Sequence, residues 1–523
     1  MLSPVAAFLL GFFLPFEQYQ WLTLVAFVPL ALVLRGAGGV SGFLAGLLFG
    51  AIFWGTGTWW LLNSMDSMLH LSPVEGFGAS ALFWGYQALP FAVFGCICGW
   101  LNRRGYVAGP FFCASLFTLL VFLRPVLCPA SCVLSVALWP EFIQVADFGG
   151  EYLVFFFWVL LNWLLAEVFV ALRLGNVRRA FFWAVTFTVL LGGVLAYGEL
   201  KLNEYGVNAE IPVNRTLKVA SVQPNVPVRW GTDDAPISAF ATDEEMCART
   251  LTEYMDIVKG GDLIVFPELP RLNCAGNEFA ASGLNSELQN LGIPALIPSD
   301  EYRYASESKQ NLLEDDKQRQ VTSQEILAKY NSVFVFRPGK GVIPVYRKVR
   351  LVPFSEATPL RDFSFVQGML WQGIEVTQGD GPRLISVQGL EVQPLICFET
   401  GFSGLVRQGV ALGADLLVEV SNDGWFASRD AEMKHLGMGI FRTIEFRRPL
   451  VRCSNSGSGV FVRASGELDY ATLTEQNSSV VISAEVFSPE VRTVYAKWGK
   501  LWIWFTVLVV LWRLSRVVLR SYF

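Results

Sequence analysis

The stretch LISVQGLEVQPLICFE, residues 384–399, is two runs rich in β-branched residues joined at Gln388-Gly389 and ending on Cys397, Phe398 and Glu399. It reads as a hairpin leading into a buried strand, because Val, Ile and Leu fill a pleated core surface and a glycine permits the tight turn. Upstream, strand-like runs TLKVASVQP (216–224), DLIVFPE (262–268) and PALIPS (294–299) alternate with helix-like stretches around 243–258 and near 277–291. A polar excursion at 305–325 precedes NSVFVFRPGKG (331–341). Downstream come ADLLVEVSND (414–423), a helix over about 431–447, and PLVRCSNSGSGVFVRASGEL (449–468). This alternation predicts an α/β domain.

The domain occupies 201–495, roughly 290 residues and enough to bury its own core. What surrounds it is different. The chain is 53% hydrophobic and 16% charged, against about 25% charged in a typical soluble protein. The apolar excess lies in 1–200 and 496–523. Spans of about 20 apolar residues are expected near 2–16, 20–35, 38–62, 80–101, 106–124, 151–172, 180–198 and 499–512. Arg35, Arg103, Arg104, Arg173, Arg178 and Arg179 follow alternate spans, and Arg513, Arg516 and Arg520 follow the last, whereas 17–19 and 63–79 hold no Lys or Arg. Basic residues resist translocation, so the sequence predicts a cytoplasmic N-terminus, a multi-pass membrane part of about seven helices, an extracytoplasmic domain and a C-terminal span.

A net charge of -5 without a long basic cluster argues against nucleic acid as a partner. Two histidines leave little material for a His-based triad or metal site, and no metal or other cofactor is expected. Nine cysteines show neither zinc-ligand nor redox spacing. Three reactive side chains do fall at strand ends: Glu268 after LIVFP, Lys348 in VYRKVRLVPFSE, and Cys397. Alone, each has an ordinary structural explanation: a solvated turn carboxylate, a surface lysine, and a small buried hydrophobe. Their combination and order carry the weight.

At these residues the sequence resembles the nitrilase superfamily, and within it the apolipoprotein N-acyltransferase family. The similarity rests on Phe-Pro-Glu at 266–268, Tyr-Arg-Lys at 346–348, Leu-Val-Pro-Phe-Ser-Glu at 351–356, Ile-Cys-Phe-Glu at 396–399 and Val-Ser-Asn-Asp-Gly-Trp-Phe at 420–426. It implies an αββα sandwich and a Glu268-Lys348-Cys397 triad, with Glu356 and Glu399 supporting it. Trp230, Asn331, Phe398 and Trp425 are the substrate contacts it suggests. Phe398 stands where Tyr is common, Arg350 where His is often found, and Leu269-Pro270 resembles hydrolytic nitrilases. The implied reaction passes an acyl chain from a phospholipid through a cysteine thioester to the N-terminal amine of a diacylglyceryl-cysteine apolipoprotein, at a bacterial inner membrane. The aromatic stretch 358–372 would then suit an arm dipping into the interface. Competing readings are an exported, membrane-anchored amidase or nitrilase, and a transporter or scaffold with a degenerate domain. The first needs only one span, and the second would usually leave ionisable residues inside spans, where only Glu167 stands out.

Overall fold

The computed structural model describes residues 17–69, 71–126, 129–207, 209, 215–227, 238–268, 283–304, 326–358, 375–426 and 428–522. Trp230, the expected span at 2–16, the excursion at 305–325 and nearly all of the aromatic stretch at 358–372 lie outside them.

Strands β1 (Thr216–Gln223), β2 (Leu263–Val265), β3 (Ala295–Tyr304), β4 (Ile326–Arg337) and β5 (Gly341–Arg347) are followed by β6 (Ile385–Val387) and β7 (Leu390–Ile396). Then come β8 (Leu416–Ser421), β9 (Leu450–Ser454), β10 (Val460–Val462) and β11 (Val480–Phe487). They form two sheets, ordered β11-β1-β2-β3-β4-β5 and β10-β9-β8-β7-β6. The hairpin read at 384–399 is present as antiparallel β6 and β7, in register Ile385 to Val392, and β7 pairs in parallel with β8.

Alternation along each strand then builds the layers. Leu217 and Val219 point inward to meet Val392, Val418 and Val451 of the other sheet, whereas Ala220 and Val222 point outward onto helices Ser238–Glu253 and Gly283–Leu291. The opposite outer face, with Leu395, Leu417 and Leu450, packs on helices Ser403–Leu412 and Arg429–Phe446. This is the expected αββα sandwich.

That second helical layer does not face water. Its Leu405, Leu436 and Ile440 belong to one apolar cluster with Phe27, Phe91, Phe117 and Trp158 of the membrane part. Among the described residues four helices there are long and apolar enough to cross a bilayer: Gly39–Gly57, Pro73–Arg103, Glu151–Arg173 and Val177–Tyr205. The protein is a membrane protein. The first two approach closely because Gly42 faces the backbone of Gly95 and Gly46 that of Phe91, so a Cβ at either position would collide with a carbonyl group.

The remaining spans depart from the expected lengths. The segment expected at 106–124 is helical only over Pro110–Leu123, 14 residues, or about 21 Å against a hydrocarbon core of about 30 Å. The one expected at 20–35 is a 3₁₀ helix, Glu17–Val25, broken before Val28–Gly36. Pro29 is tolerated in the first turn of the second piece. Its break leaves backbone groups that lipid cannot satisfy; Asn162 accepts from Phe27 N at 2.8 Å and donates to Thr23 O, which Trp158 also reaches. The last helix runs Ile503–Tyr522, further along than 499–512. Glu167, the acidic residue noted within the spans, is buried and paired with Arg35 and Arg179.

Candidate active site

Cys397 ends β7 with φ of 55°, a left-handed conformation unfavourable for a residue with a Cβ and typical of functional sites that their surroundings hold in place. The holding is done largely by Glu399. Its carboxylate accepts from Ile396 N at 2.8 Å within the turn, from Val349 N at 2.7 Å and Arg350 N at 2.9 Å across the site, and from the Tyr346 hydroxyl at 2.8 Å. One fully buried side chain thus locks the cysteine turn to the segment that carries Lys348. With its oxygens so used, Glu399 is a brace and not a group facing an incoming amine.

Lys348 follows β5 directly and is 1% exposed, a costly position for an ammonium without partners. Glu356 Oε1 lies 2.8 Å from its Nζ and Glu268 Oε1 3.6 Å away. Burial opposes its charge, yet Glu356 and Glu268 outweigh burial and raise its pKa, so it stays an ammonium. Glu356 is fixed in turn by Val352 N at 2.8 Å. Glu268, three residues past β2, has its pKa raised: burial pushes it up, Lys348 pulls it down, and Glu356 pushes it up again. The Cys397 thiol is raised well above its usual value by burial and by Glu268, against the opposing pull of Lys348. The arrangement therefore rests as a thiol beside a proton-accepting carboxylate and a permanent cation, the parts for a nucleophile, a base and an oxyanion partner.

The other expected contacts sort themselves. Asn331 on β4 uses its amide nitrogen on Glu268 (2.7 Å) and Glu356 (3.2 Å) and so also spaces the two carboxylates. Phe398 lies with its ring centroid 5.5 Å from Lys348 Nζ and stacks edge-on with Phe402. Trp425 is in a short turn, Asp423–Trp425, after β8, and Phe426 beside it meets Trp60 of the membrane part at 5.0 Å. Arg350, at the position where the related sequences often carry His, lies over the Phe402 ring at 5.2 Å. Cys453 is buried between the sheets, donating to Val222 O and Val265 O at 3.3 Å.

One group escaped the sequence reading. Asp423, which acts electrostatically on Cys397 and Glu268, belongs to a sealed cluster with Arg452, Glu419 and His435. Asp423 lay within the quoted motif at 420–426, but nothing in the sequence tied it to Arg452 on β9 or to His435 on a helix.

The chain belongs to the carbon-nitrogen hydrolase family, whose model matches residues 218–500. Its amino-terminal part, residues 6–164, matches the apolipoprotein N-acyltransferase N-terminal domain. Similar curated proteins bear that same name. Apolipoprotein N-acyltransferase 1 of Treponema pallidum is 32% identical over 48% of this chain, which spans 46% of that protein's length. The Borreliella burgdorferi protein is 25% identical over 71% of the chain and 67% of its own length. For Pseudomonas putida the figures are 27%, 92% and 90%.

Proposed function

We propose that the chain is an apolipoprotein N-acyltransferase that moves an acyl chain from a phospholipid, through a thioester on Cys397, to the α-amino group of a diacylglyceryl-cysteine apolipoprotein. The observation that carries this reading is the shared core: helices of the catalytic domain and of the membrane part bury one another in a single apolar cluster. This packing sets the catalytic domain against the bilayer that holds a lipid ester, a provision that a hydrolase of soluble amides does not need.

In the first half-reaction the Cys397 sulfur bonds to the ester carbonyl carbon as its proton passes to Glu268, whose raised pKa suits it to hold that proton. The tetrahedral oxyanion faces the Lys348 ammonium. Collapse breaks the bond to the lysophospholipid oxygen, which takes the proton back. In the second half-reaction the acceptor amine attacks the thioester, Glu268 accepts a proton from nitrogen, and the departing sulfur recovers it. Glu356, Asn331 and Glu399 position this machinery, and Asn331, Phe398 and Trp425 are the substrate contacts among the described residues. The amidase reading is not favoured, because residues 6–164 of the membrane part match the apolipoprotein N-acyltransferase N-terminal domain.

The working division is a membrane part at 1–200, a catalytic domain at 201–495 and a final span at 496–523. Contacts with the domain come from Gly57, Asp147 and Glu151 at one end of the helices, whereas Arg103 and Arg173 end helices at the other. Basic ends mark the cytoplasm, so the domain lies on the outer face of a bacterial inner membrane. The test is to incubate the purified chain with acyl-labelled phospholipid and a diacylglyceryl-cysteinyl peptide. Labelled N-acyl peptide with lysophospholipid is expected; free fatty acid alone, with the peptide unmodified, refutes acyl transfer.

A further inference from the structure

Arg124 caps the outer end of helix Pro110–Leu123, with its guanidinium donating to the Gln87 side-chain oxygen and to Ala130 O at 3.2 Å. Among the described residues its enclosed Nε has no hydrogen-bond partner and no carboxylate lies within 4.0 Å of the guanidinium, which lies over the Trp54 ring at 5.9 Å. Lys500, before the last helix, is in the same position: its ammonium sits 4.8 Å from the Tyr152 ring and 5.5 Å from that of Phe122, again with no carboxylate partner among the described residues. Tyr152 and Phe122 are themselves packed at 5.3 Å, and the charge of Arg124 also acts on Tyr152. Phe122 stands two residues before Arg124, so the aromatic pair links the segment carrying one cation to the other.

Several buried cations of the catalytic domain are compensated by an opposite charge, and Arg448 by backbone carbonyls alone. Lys348, Arg442, Arg447 and Arg452 each meet a carboxylate. Two uncompensated cations at the membrane's outer end are also unexpected from the topology, since basic residues concentrate at the other end. Partly buried cations there are retained for a reason, usually an anion they meet in use. Their place fits one. Ala130 adjoins Pro129, which packs against Gly401 at the end of the turn that begins at Cys397.

We infer that Arg124 and Lys500 form the subsite for the phosphodiester of the donor phospholipid, holding its headgroup at the bilayer surface while its ester reaches Cys397. This rests on the acyl-transfer reading above. Guanidinium and ammonium groups are the usual partners of phosphate oxygens. The diacylglyceryl-cysteine acceptor has no phosphate, so the subsite serves only the first half-reaction.

The test uses the full chain in mixed micelles, following thioester formation on Cys397 from phosphatidylethanolamine or from diacylglycerol, which has the ester but no phosphate. Arg124→Gln should raise the half-saturating phosphatidylethanolamine concentration about tenfold, the loss of one charge-assisted contact. Lys500→Gln should raise it less, and Arg124→Lys should recover part of the loss. Loading from diacylglycerol, and transfer from preformed thioester to peptide, should match the wild type. Equal slowing with both donors would reduce Arg124 to a structural role and overturn the inference. So would unchanged saturation by phosphatidylethanolamine, or loading blocked by inorganic phosphate equally in wild type and variants. If the wild type forms no thioester with either donor, the acyl-transfer reading itself falls, and the subsite with it.

Discussion

Two buried charge clusters lie side by side in the catalytic domain, and they differ by one cation. Around Cys397, two carboxylates, Glu268 and Glu356, share the single ammonium of Lys348. In the neighbouring cluster, Glu419 and Asp423 share the Arg452 guanidinium and the His435 ring, whose Nδ1 lies 2.9 Å from Asp423 Oδ1. Burial and Arg452 oppose a charge on His435, but Glu419 and Asp423 raise its pKa above the usual imidazole value, so these two carboxylates face a guanidinium and a ring disposed to hold a proton. Arg452 and His435 hold Asp423 well below the ordinary carboxylate range against the effect of burial. The cluster at the cysteine is one positive charge short, and its Glu268 has its pKa raised. A balanced buried cluster holds its protons fixed; one lacking a cation has a carboxylate ready to take a proton up and give it back.

Removing a cation from each cluster should therefore have different results. Arg452→Met leaves two carboxylates buried without their guanidinium, and a loss of about 3–5 kcal/mol of stability is expected, read as a large drop in the thermal unfolding midpoint in detergent. An unchanged midpoint would show that the balance does not matter. Lys348→Met should instead spare folding more than catalysis, with thioester formation slowed by about 10²–10³ for the lost oxyanion donor; an undiminished rate would refute that role. Glu356→Gln brings the cysteine cluster to one carboxylate and one ammonium. Because Glu356 helps raise Glu268, and Glu268 accepts a proton only when ionised, activity present above its pKa fails as pH drops through it. The acid limb of the pH-rate profile of thioester formation should accordingly move to lower pH in Glu356→Gln, and a shift to higher pH would break the comparison.

The difference between the clusters also explains what could be read from the sequence. Glu268, Lys348 and Cys397 each directly follow or lie just past a strand, the first two in one sheet and Cys397 in the other, so their placement at strand ends was legible from the strand pattern. Glu399 and Glu356 are close in sequence to the groups they hold. Arg452 and His435 reach Asp423 from separate elements, and a buried arginine reads in sequence like any other arginine. The motif names Asn331 as a substrate contact, but its amide nitrogen placed between two carboxylates is visible only once the strands are assembled. In the membrane part, hydropathy located the helices but not the break between Val25 and Val28, because Asn162 and Trp158, which satisfy it, are more than a hundred residues away.

Two cysteines offer the most direct test of the central claim, that the domain acts through a thioester at the unbalanced cluster. Cys397 is 9% exposed, beside Lys348 and Glu268, while Cys453 is wholly buried between the sheets with its sulfur donating to two backbone carbonyls. After incubation with acyl-labelled phospholipid without acceptor, mass analysis of the proteolysed chain should locate a hydroxylamine-sensitive acyl group on the peptide that contains Cys397. Cys397→Ala should abolish it without lowering the unfolding midpoint, and Cys453→Ala should leave it in place. An acyl group on the Cys453 peptide, or undiminished labelling in Cys397→Ala, would contradict the account.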